Sequence, residues 1–212
     1  MVEKDLLDNI IINKTIRSLE NHFFEVIFVN NKEEAISSLE KIIDKKAAIG
    51  FGGSRTLEEI GFFTKFNTKS YPNFLDRNSI SDQEKKYELQ KKAFQADFFI
   101  SSANAVSSTG ELVLIDKWGN RCGPMTYGPK KRIFIIGKNK IEKTLEDAIN
   151  RASNKAGVLN NIRFDTKNPC TKAGYCQNCE SENRICGVTT LIHRSMPAKS
   201  ILVILINQDF GF

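Results

Sequence analysis

Two hydrophobic rhythms alternate along the chain. Leu6, Ile10, Ile16 and Leu19 recur at helical spacing, which predicts a helix over about residues 4–21. "EVIFVN" is a short β-rich run. Asn31, with Glu34 three positions on, then forms a capping-box start. Behind it Ala35, Ile36, Leu39, Ile42 and Ile43 fall on one helical face. Residues 47–51 read as a strand that runs into glycines and a short helix, and "YPNFLD" reads as a further strand. A helical stretch at 82–95 leads into "DFFISSANAV". "ELVLID" and "KRIFIIG" are strands, Ile141 to Ala152 a helix, and "SILVILIN" the last strand.

Unbroken apolar strands between amphipathic helices predict an α/β fold with a mainly parallel sheet and helices on both faces. No repeat or low-complexity linker breaks this rhythm. Only a cysteine-rich insert at about 165–190 does, within one domain spanning 1–212.

The 41% hydrophobic content is enough for a core, and the formal charge of +6 admits anionic ligands. The 31 basic residues are interspersed with 25 acidic ones, which gives a solvated surface and not the clustered patch of a nucleic-acid binder. No run approaches the roughly 18 apolar residues of a membrane span, and the amino terminus has no secretory core. The expected location is therefore cytoplasmic. In a reducing compartment the five cysteines argue against a disulfide framework.

"GFGGSRT" follows a strand and precedes a helix. Gly50, Gly52 and Gly53 allow close backbone approach, and Ser54, Arg55 and Thr56 add donors at the helix start, an arrangement suited to an anion. The run matches neither a Walker A loop nor a dinucleotide fingerprint. Spacing alone equally allows a tight turn with Ser54 as N-cap and no ligand.

A second polar loop carries Ser101, Ser102, Asn104, Ser107, Ser108, Thr109, Gly110 and Glu111, the last being its one carboxylate placed for catalysis. Asn120, Arg121 and Cys122 follow. These residues also suit ordinary turns, with Glu111 an exposed strand residue. His22 and His193 have no motif around them and read as structural. Cys170, Cys176, Cys179 and Cys186 form C-x5-C-x2-C-x6-C, four thiols that could close on zinc or an iron–sulfur cluster or stand as plain surface thiols. Cys122 lies apart as a free thiol.

Taken in order, "GFGGSRT", "ADFFISSANAVSSTGELVLIDKWGNR", "GPKKRIFIIGKNKI", "NPCTKAGYCQNCESENRICGV" and "ILVILINQDFGF" resemble the LUD-domain (lactate-utilisation) family from about residue 5 to the end. The resemblance implies a fold similar to the sugar-phosphate isomerase, glucosamine-phosphate deaminase and CoA-transferase group, in which the glycine loop holds phosphate or an anionic cofactor. Gly50, Gly52, Gly53, Ser54 and Thr56 fall on that loop. Asn104, Thr109, Gly110 and Glu111 fall on the second motif, and Asn120 and Arg121 on the third. The family's association with iron–sulfur-dependent oxidation of L-lactate to pyruvate implies other lactate-utilisation subunits as partners. The chain has no ferredoxin module and no flavin or nicotinamide fingerprint.

Three readings follow. One is a lactate-utilisation subunit or relative that binds a small anionic or phosphorylated ligand and a metal. The second is an independent enzyme of the transferase and isomerase class using Glu111. The third is a non-catalytic binding module with a structural zinc. Oligomeric state stays open, with a homo-oligomer allowed.

Overall fold

The computed structural model describes residues 2–212. Its larger sheet has five strands: β1 (Glu25–Val29), β2 (Ile49–Phe51), β3 (Phe98–Ser101), β6 (Lys131–Gly137) and β9 (Ile201–Ile206). Their spatial order is β1-β9-β6-β3-β2, and every pairing is parallel. All six residues of β9 are buried. Leu202, Ile204 and Ile206 face one core, with Ile133 and Ile135 of β6. Ile201, Val203 and Leu205 face the other, with Phe134 and Ile136. Burial on both faces is why "ILVILI" is continuous and not alternating.

Helices cover the two faces. α2 (Lys32–Ile42) puts Ala35, Ile36 and Leu39 on the first core, and Phe62, Phe66 and Tyr71 pack there with it. The Asn31 side chain accepts the Glu34 N–H at 2.9 Å, so the expected N-cap forms, and the Glu34 carboxylate accepts in return from the Asn31 side-chain Nδ2 at 3.0 Å and from the Asn30 backbone N–H at 2.9 Å. α1 (Val2–Asn21) lays Ile12 and Leu19 on the second core. Each fully buried Leu, Ile or Phe contributes about 1.5–3 kcal/mol, so these two clusters dominate the stability of the sheet.

A smaller mixed sheet packs over the second core. It comprises β4 (Ala105–Ser107), β5 (Leu112–Asp116), β7 (Ile141–Glu142) and β8 (Val188–Ile192), in the order β7-β4-β5-β8. β4 and β5 form an antiparallel hairpin. Leu112 and Leu114 join the second core, while Val113 and Ile115 pack on Ala148 and Ala152 of the next helical layer.

Two elements differ from the sequence pattern. "YPNFLD" is not a strand. Its one ladder contact is an isolated Ile49–Phe74 bridge, and Pro72 brings no N–H. Tyr71 and Phe74 instead serve as core plugs, Tyr71 stacked on Phe66 at 4.7 Å. The helix expected from Ile141 begins later. Ile141 and Glu142 pair with Val106 and Ser107, and Thr144 caps α7 (Leu145–Arg151) by accepting the Asp147 N–H. The helical run then passes through a π turn, Ala152–Gly157, into α8 (Val158–Arg163). The remaining helices are α3 (Arg55–Glu59), α4 (Phe62–Lys65), α5 (Gln83–Lys92), α6 (Cys122–Thr126) and α9 (Cys170–Ala173).

Candidate functional site

The carboxyl ends of β2 and β3 open into a cleft of about 480 Å³. It is walled by Gly53 and Ser54 of the glycine loop, Arg77, Asn104, the Asp116–Arg121 loop, Gly157 at the end of the π turn, Asn160 and Arg163 of α8, and Ile185 and Cys186. Crevices at this edge of an open α/β sheet are where ligands bind. The π turn fits the same picture, since such irregularities concentrate at functional sites.

The glycines act mainly through close approach. A Cβ on Gly50 would meet Ala93 Cβ at 2.8 Å, so this glycine packs strand against helix and does not face the cleft. One on Gly52 would meet Arg121 Cγ and Ser101 Oγ, both at 2.6 Å, and one on Gly53 would meet Arg77 Nη2 at 2.8 Å. The Ser54 side chain accepts the Leu57 N–H at 3.3 Å and thus caps α3 itself.

Asp116, at the end of β5, organises the third wall. Its Oδ2 accepts the backbone N–H of Arg121 and of Cys122, each at 2.7 Å, and its Oδ1 accepts Arg121 Nε at 3.0 Å. Arg121 Nη2 then donates to Asn104 Oδ1 at 2.8 Å and to the Ile115 carbonyl at 2.7 Å. Asn104 Oδ1 also accepts the Ile115 N–H at 2.9 Å. Asn104, Asn120 and Arg121, picked out separately in the sequence, therefore share one cleft.

Arg77 differs from Arg121 in having no ion pair within hydrogen-bond reach among the described residues. Its guanidinium lies over the Phe51 ring at 5.3 Å, and its buried Nε has no hydrogen-bond acceptor among the described residues. Burial pushes it below its ordinary basicity, and Arg121 adds to this while Asp116 opposes it. Arg163 is answered by Glu58, but Arg77 is left as a half-buried cation facing the cleft.

Below the glycine loop sits Lys140, 3% exposed. Its Nζ donates to Thr56 Oγ1 at 2.8 Å, Ser102 Oγ at 2.9 Å and the Ala103 carbonyl at 3.1 Å. Among the described residues no carboxylate joins it. Burial first, then Arg151 and Arg121, hold its pKa well below the ordinary 10.5, with Glu59 offsetting only part. The final segment seals it from above: Thr56 Oγ1 lies 3.3 Å from the Phe210 carbonyl, and the Gly211 N–H donates to Glu59 at 2.7 Å. Thr56 thus serves the buried amine and is not a wall of the cleft. Arg151 Nη1, 2.6 Å from the Asn104 carbonyl, braces the same loop.

Thr109, Gly110 and Glu111 stand apart. The hairpin runs from Glu111 back to Asp116, five strand steps or about 16 Å. At that far turn Ser107 and Thr109 donate their hydroxyls to Glu111 Oε2, the Thr109 bond measuring 2.6 Å. Burial works to raise the Glu111 carboxyl, but the two hydroxyls, aided by His22 and His193, outweigh it and hold it below its ordinary value. Gly110 has φ +101° there and lies against the end of α1, its carbonyl 3.1 Å from His22 Nδ1.

The four clustered cysteines are free thiols that sense one another. Burial raises the Cys170 thiol, and Cys179, Cys186 and Cys176 raise it further. Arg184 ties the loop by donating to the Cys179 carbonyl at 2.9 Å and the Cys186 carbonyl at 3.0 Å. Among the described residues, however, no group of three or more His, Cys, Asp or Glu side chains is arranged to hold a metal ion.

Sequence reasoning missed Arg77, Asp116, Lys140 and Arg151. Asp116 had a readable signal, a lone acid closing an apolar strand five residues before Arg121. Lys140 and Arg77 had none, since burial and the absence of a partner exist only once the chain is folded.

Fold and site together define an open α/β domain with an arginine-lined cleft at the carboxyl edge of its parallel sheet. The chain belongs to the LUD-domain family: the LUD domain profile matches residues 12–206. That family is associated generally with lactate utilisation. A crystal structure of a DUF162 family protein from Deinococcus radiodurans is similar in fold, with a TM-score of 0.56 over 94% of this chain and 98% of that one at 12% identity. No curated protein matches the sequence. Among the described residues no helix is long and apolar enough to cross a membrane.

Proposed function

We propose that this protein is a lactate-utilisation component that binds a small organic carboxylate or phosphorylated anion in the cleft, with Arg77 as its principal counter-ion. The observation that carries this reading is the half-buried Arg77 guanidinium with no carboxylate partner beside it. A cation withdrawn from water and left unpaired is costly, and an anion in the cleft would both pair with it and accept its N–H groups. Arg121 and Asn104, held by Asp116, would orient the ligand, and Asn120 lines the same space.

The four-cysteine segment is proposed as a metal-holding staple for zinc or an iron–sulfur cluster, on the strength of four neighbouring thiols in one loop. A bound ion would relieve the mutual repulsion of their thiolates. Cys186 also lines the cleft, so the staple would fix one of its walls. Association with other lactate-utilisation subunits belongs to the same reading.

A second reading makes Glu111 a nucleophile or base in transferase-like chemistry. It draws on a carboxylate that two hydroxyl donors keep ionised. It would need a site of its own, because Glu111 lies at the other end of the hairpin from the cleft.

Calorimetric titration with L-lactate, pyruvate, inorganic phosphate and ribose 5-phosphate tests the first reading. At least one should bind, and Arg77→Gln should weaken it roughly tenfold or more without lowering the melting temperature. Equal affinity in both proteins, or no binding by the wild type, would refute it.

A further inference from the structure

Next to the cleft lies a second cavity, about 700 Å³, between α5 and the loop that carries Trp118. α5 buries none of its residues. It is held by Asp82, whose side chain accepts the Lys85 N–H at 3.0 Å, and by Ala93 behind it, which packs on Gly50. The helix therefore stands beside the core without contributing to it. Three aromatic rings that would normally seek burial instead surround this one space: Trp118 is 75% exposed, Tyr87 58% and Phe94 40%. Such a concentration of exposed aromatic surface in a concavity marks a binding site.

The charges around it have one sign. Lys86 and Lys91 line the cavity, and no acidic residue does. Lys91 lies 4.8 Å over the Tyr87 ring and is paired with Glu88 at 2.9 Å, whereas Lys86 has no ion-pair partner among the described residues. Trp118 and Asn120 are shared, lining both this cavity and the arginine cleft. The two spaces are thus neighbouring compartments with a common wall, one carrying arginines among apolar side chains and the carboxylates of Glu58 and Asp116, the other aromatic and cationic.

We infer that the two compartments together take a nucleotide, its phosphate in the Arg77–Arg121 cleft and its flat heteroaromatic ring against Trp118, Tyr87 and Phe94. This deepens, and rests on, the anion-binding reading of the cleft. A lone phosphate or a short hydroxy acid would leave the aromatic compartment empty. A sugar phosphate would bring it no aromatic ring to stack, while a nucleotide base offers two π-faces and an edge to the aromatic side chains. The size is that of a small-molecule site enclosed by a helix and a loop.

Trp118 is the only tryptophan in the chain, so its fluorescence reports directly on the aromatic compartment. The probes are ADP, inorganic phosphate and ribose 5-phosphate, titrated by fluorescence and calorimetry against the wild type, Trp118→Leu and Tyr87→Ala. ADP should quench the emission and bind roughly tenfold or more tightly than inorganic phosphate. That advantage should vanish in Trp118→Leu and shrink in Tyr87→Ala, with phosphate affinity unchanged in Tyr87→Ala, whose ring lines only the aromatic compartment. If ADP and phosphate bind equally well, the nucleotide inference is overturned and the anion cleft survives. If neither binds, the cleft reading fails and takes the inference with it. If the emission follows protein concentration and not ADP, a second copy of the chain covers the rings and the inference is again overturned.

Discussion

Lys140 Nζ meets Thr56 Oγ1 at 2.8 Å, joining the turn after β6 to the first turn of the glycine-loop helix. The two residues are 84 positions apart, and neither has a carboxylate to share. The amine is buried among hydroxyl and carbonyl oxygens, so its protonation and the stability of the fold are linked.

The linkage has a definite sign. Burial holds the folded-state pKa of Lys140 well below the ordinary 10.5 that the unfolded chain restores. Between those two values the unfolded chain binds the extra proton, so its contribution to stability is complete above 10.5 and is lost as pH falls toward the folded value. In denaturant unfolding across alkaline pH the stability of wild type relative to Lys140→Met should rise with pH, by at most about 1.4 kcal/mol per pH unit. A pH-independent difference would mean that the amine is charged in the fold.

Asp116→Ala should be the most damaging single change in the cleft. It removes the acceptor of three N–H groups and leaves Arg121 without its carboxylate. Breaking a buried pair in this way costs about 3–5 kcal/mol. Urea unfolding measures it, and a loss below 1 kcal/mol would show that Arg121 finds a substitute partner.

The two cleft glycines should behave differently. In Gly52→Ala the new methyl meets the buried Ser101 hydroxyl and Arg121, which Asp116 and Asn104 hold in place, and should cost about 1–3 kcal/mol. In Gly53→Ala it meets only the mobile tip of Arg77, so stability should change by less than about 1 kcal/mol. Its anion affinity should nonetheless fall, because Arg77 is displaced. Melting curves and phosphate titrations on both variants separate the two effects.

The cysteines should divide into the inert Cys122, a slow Cys170 and three accessible thiols. Burial, with Asp116 adding to it, pushes Cys122 up to about 11, so at pH 8 roughly one such thiol in a thousand is ionised. After chelator treatment a thiol reagent should modify Cys176, Cys179 and Cys186 quickly, the buried Cys170 more slowly, and Cys122 only on unfolding. Before chelation, bound zinc or iron should protect the four, and Cys176→Ser with Cys179→Ser should abolish that metal in elemental analysis. Equal labelling with and without chelator would remove the metal proposal.

Local chemistry made much of this architecture legible. The Asn31–Glu34 cap, the unbroken apolar runs of β6 and β9 and the glycine turn after β2 are specified by neighbours a few residues apart. Parallel strands buried on both faces carry their own signature, which is why the α/β sheet could be anticipated. "YPNFLD" misled because aromatic richness marks burial as readily as it marks a strand.

The sequence by itself determined most of the elements, the family and a pool of polar loop residues. Tertiary structure decided which of that pool meet. The β4–β5 hairpin brings Asn104 beside Arg121 and carries Glu111 to the opposite end, a division that its composition does not reveal. It also leaves Arg77 unpaired and seals Lys140 away from water. Both are long-range outcomes of desolvation and of which charges lie within reach, and neither is written in the residues on either side.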